Sequence, residues 1–160
     1  MEKKRDPLFE LGMKIRTEVL GKEHVARSMK NASKHMAPMQ DLTTKAAWGM
    51  VWGRPGLSRK MRSVANIAIL VSMGLDHELE LNIKGGMRNG LTQEEIIELL
   101  LHTTLFCGYP RAINGFKTAV RVFDEMAAEQ ALKQPAEPAK KSAKGPIKGT
   151  SKRVPKQPAK

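Results

Sequence analysis

The apolar residues of this chain recur at three- and four-residue spacings from Pro7 to about Gln130, and no run alternates with period two. Helix starts and stops fall between these stretches. Pro7 opens a first helix with an apolar stripe of Leu8, Leu11, Ile15 and Val19, which Gly21 ends or kinks. A second runs from Lys22 to Ala32 and a third from about Pro38 to Val51. Ser58 is placed to cap a helix reaching Met73, with Gly74 as its stop. Asp76 caps the next, which ends at Arg88 before Asn89-Gly90. Thr92 and Glu95 form a capping box ahead of Ile96. Gly108-Tyr109-Pro110 breaks that helix, and Pro110 suits the first position of the last one. The pattern predicts an all-α fold, a compact bundle of six to seven helices. The Ser58–Met73 and Thr92–Cys107 helices are apolar on more than one face, so each is central or packs against another subunit, which makes the expected bundle oligomeric.

The 160 residues make about one domain, and a change in composition divides them. Residues 1–131 form the expected helical domain. Residues 132–160 carry nine Lys or Arg, five prolines, one acid (Glu137) and no aromatic residue. That segment holds +8 of the net charge of +12, and it buries too little apolar surface to offset the entropy of ordering, so it is expected to be a disordered basic tail. Without interleaved aromatic residues it is expected to make no specific contact with nucleic acid. The single cysteine, Cys107, excludes an intrachain disulfide. The N-terminus lacks the apolar core of a signal peptide, and the stretch around Ala65–Leu75, interrupted by Asn66 and Ser72, is too short to span a bilayer. These features lead to the expectation of a cytoplasmic protein with no membrane span.

The candidate chemistry concentrates between Ala47 and Ser63. Trp48, Trp52, Arg54, Arg59, Lys60 and Arg62 share this stretch with a Pro55-Gly56 turn. Indoles make flat apolar walls, and guanidinium groups grip carboxylates in two-pronged fashion. A pocket for a small planar anion fits these residues; a Trp-filled core beside a solvated basic turn fits them too. Cations in the first turn of a helix oppose its dipole by about 0.3–1 kcal/mol each. Either an anion binds there or carboxylates such as Asp41 or Glu78 neutralise them. Gly85-Gly86 costs its helix about 1 kcal/mol per glycine relative to alanine, which points to close packing or to a ligand. Asn82, one turn earlier, shares that face.

The histidines at 24, 35, 77 and 102 show no metal-ligand spacing, so no metal site is expected. His102 reads first as a hydrogen-bonded core histidine, and Cys107 as a structural thiol. Methionines at 39, 50, 61, 73 and 87 read as core filling, or as a soft interior suited to a less polar substrate.

From about Phe9 to Met126 the chain resembles the carboxymuconolactone decarboxylase family, in its 4-carboxymuconolactone decarboxylase branch. The likeness is carried by the run from Arg16 to Val25 and by Ala47-Trp48-Gly49-x-Val51-Trp52-x-Arg54-Pro55-Gly56-Leu57, then Arg62-Ser63. It continues in Asn89-Gly90-Leu91-Thr92-x-Glu94-Glu95-Ile96, Leu101-His102 and Cys107-Gly108-Tyr109-Pro110. The resemblance implies an all-helical subunit assembled as a trimer or hexamer, with pockets near subunit contacts. It implies a reaction that removes carbon dioxide from a small lactone diacid without metal or organic cofactor.

The branch usually has Glu where this chain has Met50 and His where it has Asn82. Neither replacement can move a proton near neutral pH, and loss of a positioned acid or base costs on the order of 10²–10⁴ in rate. A second branch of the superfamily reduces peroxides with a Cys-x-x-Cys and a following His. Leu75, Glu78 and Asn82 stand at those positions, so that activity is not expected. The resulting expectation is a cofactor-independent enzyme acting on a small cyclic carboxylic acid, lactone or aromatic-derived, with altered substrate or altered lyase or isomerase chemistry. Trp48, Met50, Trp52, Arg54, Arg62 and Asn82 would bind the acid. His102, Cys107 and Tyr109 remain as candidates for proton transfer. The alternative is a non-catalytic binding or scaffold homologue that has lost the proton-handling pair.

Overall fold

A computed structural model describes residues 6–133. The basic tail beyond Lys133 lies outside the described residues. Seven α-helices and one π-helical turn follow one another: α1 (Pro7–Leu20), α2 (Lys22–Lys30), α3 (Ala37–Thr43), the π-helical turn (Thr44–Val51), α4 (Arg59–Met73), α5 (Asp76–Arg88), α6 (Gln93–Cys107) and α7 (Tyr109–Lys133). No helix of the described residues is long and apolar enough to cross a membrane.

The caps show why the elements begin and end there. Asp6 accepts a hydrogen bond from the Leu8 N–H at 2.9 Å, and Ser58 accepts one from Met61 at 3.2 Å. The Thr92–Glu95 capping box closes reciprocally at 2.9 and 3.1 Å. Gly74 ends α4 in the left-handed conformation, with φ of 70°, which only glycine adopts without strain. Two starts differ from the expectation. Asp76 is the first residue of α5 rather than its cap, because Leu75 occupies the cap position. Pro110 is the second residue of α7, after Tyr109.

Two cores hold the fold. The larger joins α4 to α7 through Ile67, Val71, Leu79, Ile83, Ile96, Leu100, Ala119 and Val122. The smaller gathers Ile15, Val19 and Trp48, with Trp52 against it. Helix α5 ties the two together. Gly85 lets Val19 approach so closely that an added Cβ would stand 3.1 Å from its methyl carbon, and Arg88 donates to the Val19 carbonyl at 3.2 Å. At Gly86 the space is taken by Leu91 and Ile67. The glycine pair therefore serves packing, and no ligand is needed to explain it.

The expected third helix, Pro38 to Val51, is replaced by α3 and the π-helical turn, closed by a bond from the Trp52 N–H to the Ala47 carbonyl at 2.9 Å. The cause lies in the crossing with α1. A Cβ on Gly12 would collide with the Thr44 carbonyl, and one on Gly49 would lie 2.7 Å from the Leu8 carbonyl. Thr44 and Gly49 thus both face α1. Widening the turn to five-residue hydrogen bonding carries residues five apart towards one face.

The methionine reading is corrected. Met39, Met50, Met61 and Met73 are all more than half exposed, and only Met87 packs against the larger core. Met61 and Met73 line the outside because the inner positions of α4 are held by Ser63, Ile67 and Val71, spaced by four.

Candidate active site

The π-helical turn positions the two indoles. Their ring centroids are 5.0 Å apart, with planes tilted by 35°. Trp48 is buried against Ile15 and Val19, so its ring anchors the turn to α1. Trp52, one turn on, is only half-buried. Met50 stands between them in sequence but points outwards, 59% exposed.

The four cations that follow separate into two pairs. Arg59 binds Glu18 at 2.6 Å and Lys60 binds Glu95 at 2.6 Å. Both are therefore neutralised, though by other acids than Asp41, which is bound to Lys45, or Glu78. Arg54 and Arg62 have no acidic partner among the described residues. Arg62 donates from Nη2 to the Arg54 carbonyl at 3.0 Å, which folds the loop back onto the start of α4. The Nε of Arg62 is buried and has no hydrogen-bond partner among the described residues. A buried donor left without a partner costs about 1–3 kcal/mol, a cost that an acceptor reaching this N–H would relieve.

Asn82 is held from both ends of its amide. Its Oδ1 accepts from Asn66 Nδ2 at 3.0 Å, and its Nδ2 donates to the Glu78 carbonyl at 2.9 Å. Asn66 did not figure among the sequence-based candidates. Its signal was a polar residue interrupting the apolar stretch of α4. Asn66 lies one helical turn from Arg62 on the same face, so Arg54, Arg62, Asn66 and Asn82 form one polar strip. Each amide keeps one N–H uncommitted, and these are neutral donors for an oxygen that gains charge.

The three proton-transfer candidates lie elsewhere in the chain. His102 is exposed and stacks on Phe106 at 5.3 Å, which corrects its reading as a core histidine. The inward positions of α6 are Ile96, Leu100 and Thr103, and residue 102 falls outside that stripe. Cys107 is half-buried against the larger core, with its thiol 3.9 Å from the Gly108 carbonyl. Tyr109 is 72% exposed. Helix α6 packs on α4 and α7, whereas the π-helical turn packs on α1 and α3. No hydrogen bond among the described residues links His102, Cys107 or Tyr109 to the tryptophans and arginines. Nor do the described residues gather three or more His, Cys, Asp or Glu side chains at one possible metal site.

Residues 37–121 match the carboxymuconolactone decarboxylase family. The chain belongs to that family. Among curated relatives it is similar to a nitrosuccinic acid decarboxylase of Metarhizium robertsii, 38% identical over 128 residues, which cover 80% of this chain and 90% of the relative. It is also similar to the 4-carboxymuconolactone decarboxylase of Acinetobacter baylyi, 38% identical over 118 residues, covering 74% and 88%. The family match runs from α3 into α7 and so includes the tryptophan pair, the two acid-free arginines and the asparagine pair.

Proposed function

We propose that this carboxymuconolactone decarboxylase family member is a cofactor-independent, decarboxylase-type enzyme for a small carboxylic acid. The observation that carries the reading is Arg62, whose buried Nε has no partner among the described residues and whose Nη2 is bonded to the carbonyl of the acid-free Arg54, two residues after the partly buried Trp52. Arg54 and Arg62 hold a carboxylate, Trp52 forms an apolar wall, and Asn82, steadied by Asn66, orients the reacting part. Trp48 supports the wall from behind, and Met50 edges it.

Loss of carbon dioxide breaks one C–C bond and leaves its electron pair on the remaining fragment. The polar strip offers donors but no titratable acid, so the substrate itself has to accept that pair. The substrates that the two relatives' names give each contain such a group, a nitro group in one and a lactone in the other. A small lactone or aromatic-derived acid is the first class to test, and a nitro-substituted diacid the second. The final proton comes from water, or from His102, Cys107 or Tyr109 if another copy of the chain brings them to the strip.

The exposed apolar surface supports such an assembly. Leu105, Phe106 and Tyr109 are 80%, 78% and 72% exposed, and Ile69 and Met73 of α4 are more than half exposed. A trimer or hexamer of this chain would cover them.

Carbon dioxide release from lactone and nitro diacids tests the reading. Arg62→Gln is expected to lower kcat/KM about ten- to hundredfold, the worth of a charge-assisted contact. Equal rates for Arg62→Gln and wild type would remove the arginine from the mechanism. The alternative reading, a binding homologue without catalysis, draws on the untitratable side chains of Met50 and Asn82. It predicts binding without turnover across the panel, and turnover gained by the Met50→Glu, Asn82→His double variant.

A further inference from the structure

A hollow of about 470 Å³ lies where the end of α1, the start of α2, one face of α5 and the far part of α7 meet. It shares no lining residue with the polar strip of Arg54, Arg62, Asn66 and Asn82, and Trp52 is not among its walls. Its walls carry Lys22, Arg27, Lys84 and Arg88, together with His24 and His77. Of these cations, Lys84 is already engaged with Glu80 at 2.8 Å and Glu125 at 2.7 Å. Glu80 in turn is shared with Arg121 at 2.9 Å. Lys22, Arg27 and Arg88 have no acid within ion-pair distance among the described residues. The other two lining carboxylates, Glu23 and Glu129, form no ion pair with them. Three uncommitted cations therefore face two carboxylates, before either histidine is protonated.

Two details make this more than a solvated basic surface. Arg88 is fixed: its Nη1 donates to the Val19 carbonyl, and its guanidinium lies over Gly21 so closely that a Cβ there would come within 3.2 Å of Nη2. Behind the wall, Arg16 is almost fully buried and, among the described residues, bonds to Thr44, Ser28 and the Met29 sulfur but to no carboxylate. Its charge is uncompensated inside the fold. Burial first, then Arg16, Arg27, His77 and Arg88 drive the proton off His24, and each of those four neighbours is a basic group.

We propose that this hollow binds a compact dianion, of phosphate or small-dicarboxylate chemistry, gripped between Arg27 and Arg88. Guanidinium forks arriving from two different helices suit an oxyanion with two charged edges. The bound dianion offsets the positive surroundings of His24. The imidazole then takes up a proton more readily, and binding tightens as the pH falls. The charged groups that bear on this coupling are the four neighbours already named, with Lys22, Glu23, Glu80, Lys84 and Glu129 on the walls.

Calorimetric titration of the full chain with inorganic phosphate, and separately with succinate, at about pH 6 and about pH 8 tests the site on both sides of the histidine range. Saturable binding of at least one probe is expected, and its affinity for the dianion, once the fraction of phosphate or succinate that is itself doubly ionised at each pH is divided out, is tighter at the lower pH, with the His24 NMR titration midpoint moving upwards when the probe is present. Phosphate alone, or succinate alone, then identifies which source of the dianion the site takes. Arg27→Gln and Arg88→Gln are each expected to weaken binding about ten- to hundredfold. Arg27 makes no side-chain hydrogen bond among the described residues, so its variant decides the matter if Arg88→Gln unfolds. The proposal is overturned if neither probe saturates, or if binding survives Arg27→Gln.

Discussion

Where α1 crosses the π-helical turn, two glycines bring backbone against backbone, and Trp48 seals the contact from the side. Where α6 turns into α7, Leu105, Phe106 and Tyr109 stand largely in the open among the described residues. Both regions carry large apolar residues, and both lie next to residues tied to the proposed chemistry. They differ in what completes them. The crossing is finished by this chain's own atoms, so its geometry is set once the chain folds. The corner is unfinished, and the apolar area there is of the kind that a second copy covers. On the proposed reading the indole and arginine part of the candidate site is built by one chain, and His102 and Tyr109 would join it only if a second copy brought them there.

The crossing can be broken with one methyl group. Gly12→Ala places a Cβ onto the Thr44 carbonyl, and neither neighbour is a flexible side chain able to move aside. A loss of about 3 kcal/mol is expected in urea unfolding, at the upper end of overpacking costs. The tryptophan fluorescence of the folded state should shift with it, because Trp48 rests on the same contact. An unchanged midpoint would mean that the two backbones are further apart than the geometry requires.

How much of this was legible in the sequence follows the same division. Caps and stops are local chemistry, so Ser58, Gly74, Thr92 with Glu95, and Gly108 announced their helix ends in advance. The π-helical turn was not legible, because it arises from Gly12 meeting Thr44 and Gly49 across more than thirty residues, and no local pattern encodes that meeting. The acid-free pair Arg54 and Arg62 was legible only as part of a cluster of four. Which two were neutralised depended on Glu18 and Glu95, set by tertiary packing. The same holds for Asn82, whose partner Asn66 is visible in the sequence only as a polar break in an apolar helix. His102 was misread because a helix apolar on several faces hides which face turns inward.

Between the closed crossing and the open corner lies the α5–α7 seam, which is closed by charge. Lys84 and Glu80 are each 19% exposed at the side chain. The hydrogen bond from Lys84, before its other interactions, holds the Glu80 carboxyl below the ordinary 4.5. Burial works against the charge on Lys84, yet its bonds to Glu125 and Glu80 leave its affinity for the proton raised above the ordinary 10.5. Lys84→Met is expected to cost about 1–2 kcal/mol at neutral pH, less than a fully buried pair because water still reaches the groups. The sign of the pH dependence follows from Glu80. Its lowered folded value means that the unfolded chain takes the proton first, so the contribution is complete above the ordinary value and fades as pH falls below it. On the Lys84 side the contribution holds through neutral pH and is lost only at alkaline pH above 10.5. The gap between wild type and Lys84→Met should therefore narrow below about pH 4. A gap that stays constant down to acid pH would assign the stability to packing of the lysine stem.

The smallest effect on the folded chain is expected at the open corner, and it discriminates best between the two regions. Replacing Leu105 and Phe106 together by Glu puts charge where each side chain is already about four-fifths exposed. The cost to a single chain should stay within about 0.5 kcal/mol, the usual range for surface changes. In an assembly the same carboxylates would be trapped against apolar surface without partners, which costs several kcal/mol per contact. The far-UV circular dichroism should therefore be retained while the mass in sedimentation falls to that of one chain. Decarboxylation assays on the same variant separate the two parts of the proposed site. If turnover vanishes while substrate binding persists, the corner supplies the proton-handling groups across a subunit contact. If the variant keeps the wild-type mass, the exposed apolar corner is not where copies meet, and the crossing and the corner lose the difference drawn between them.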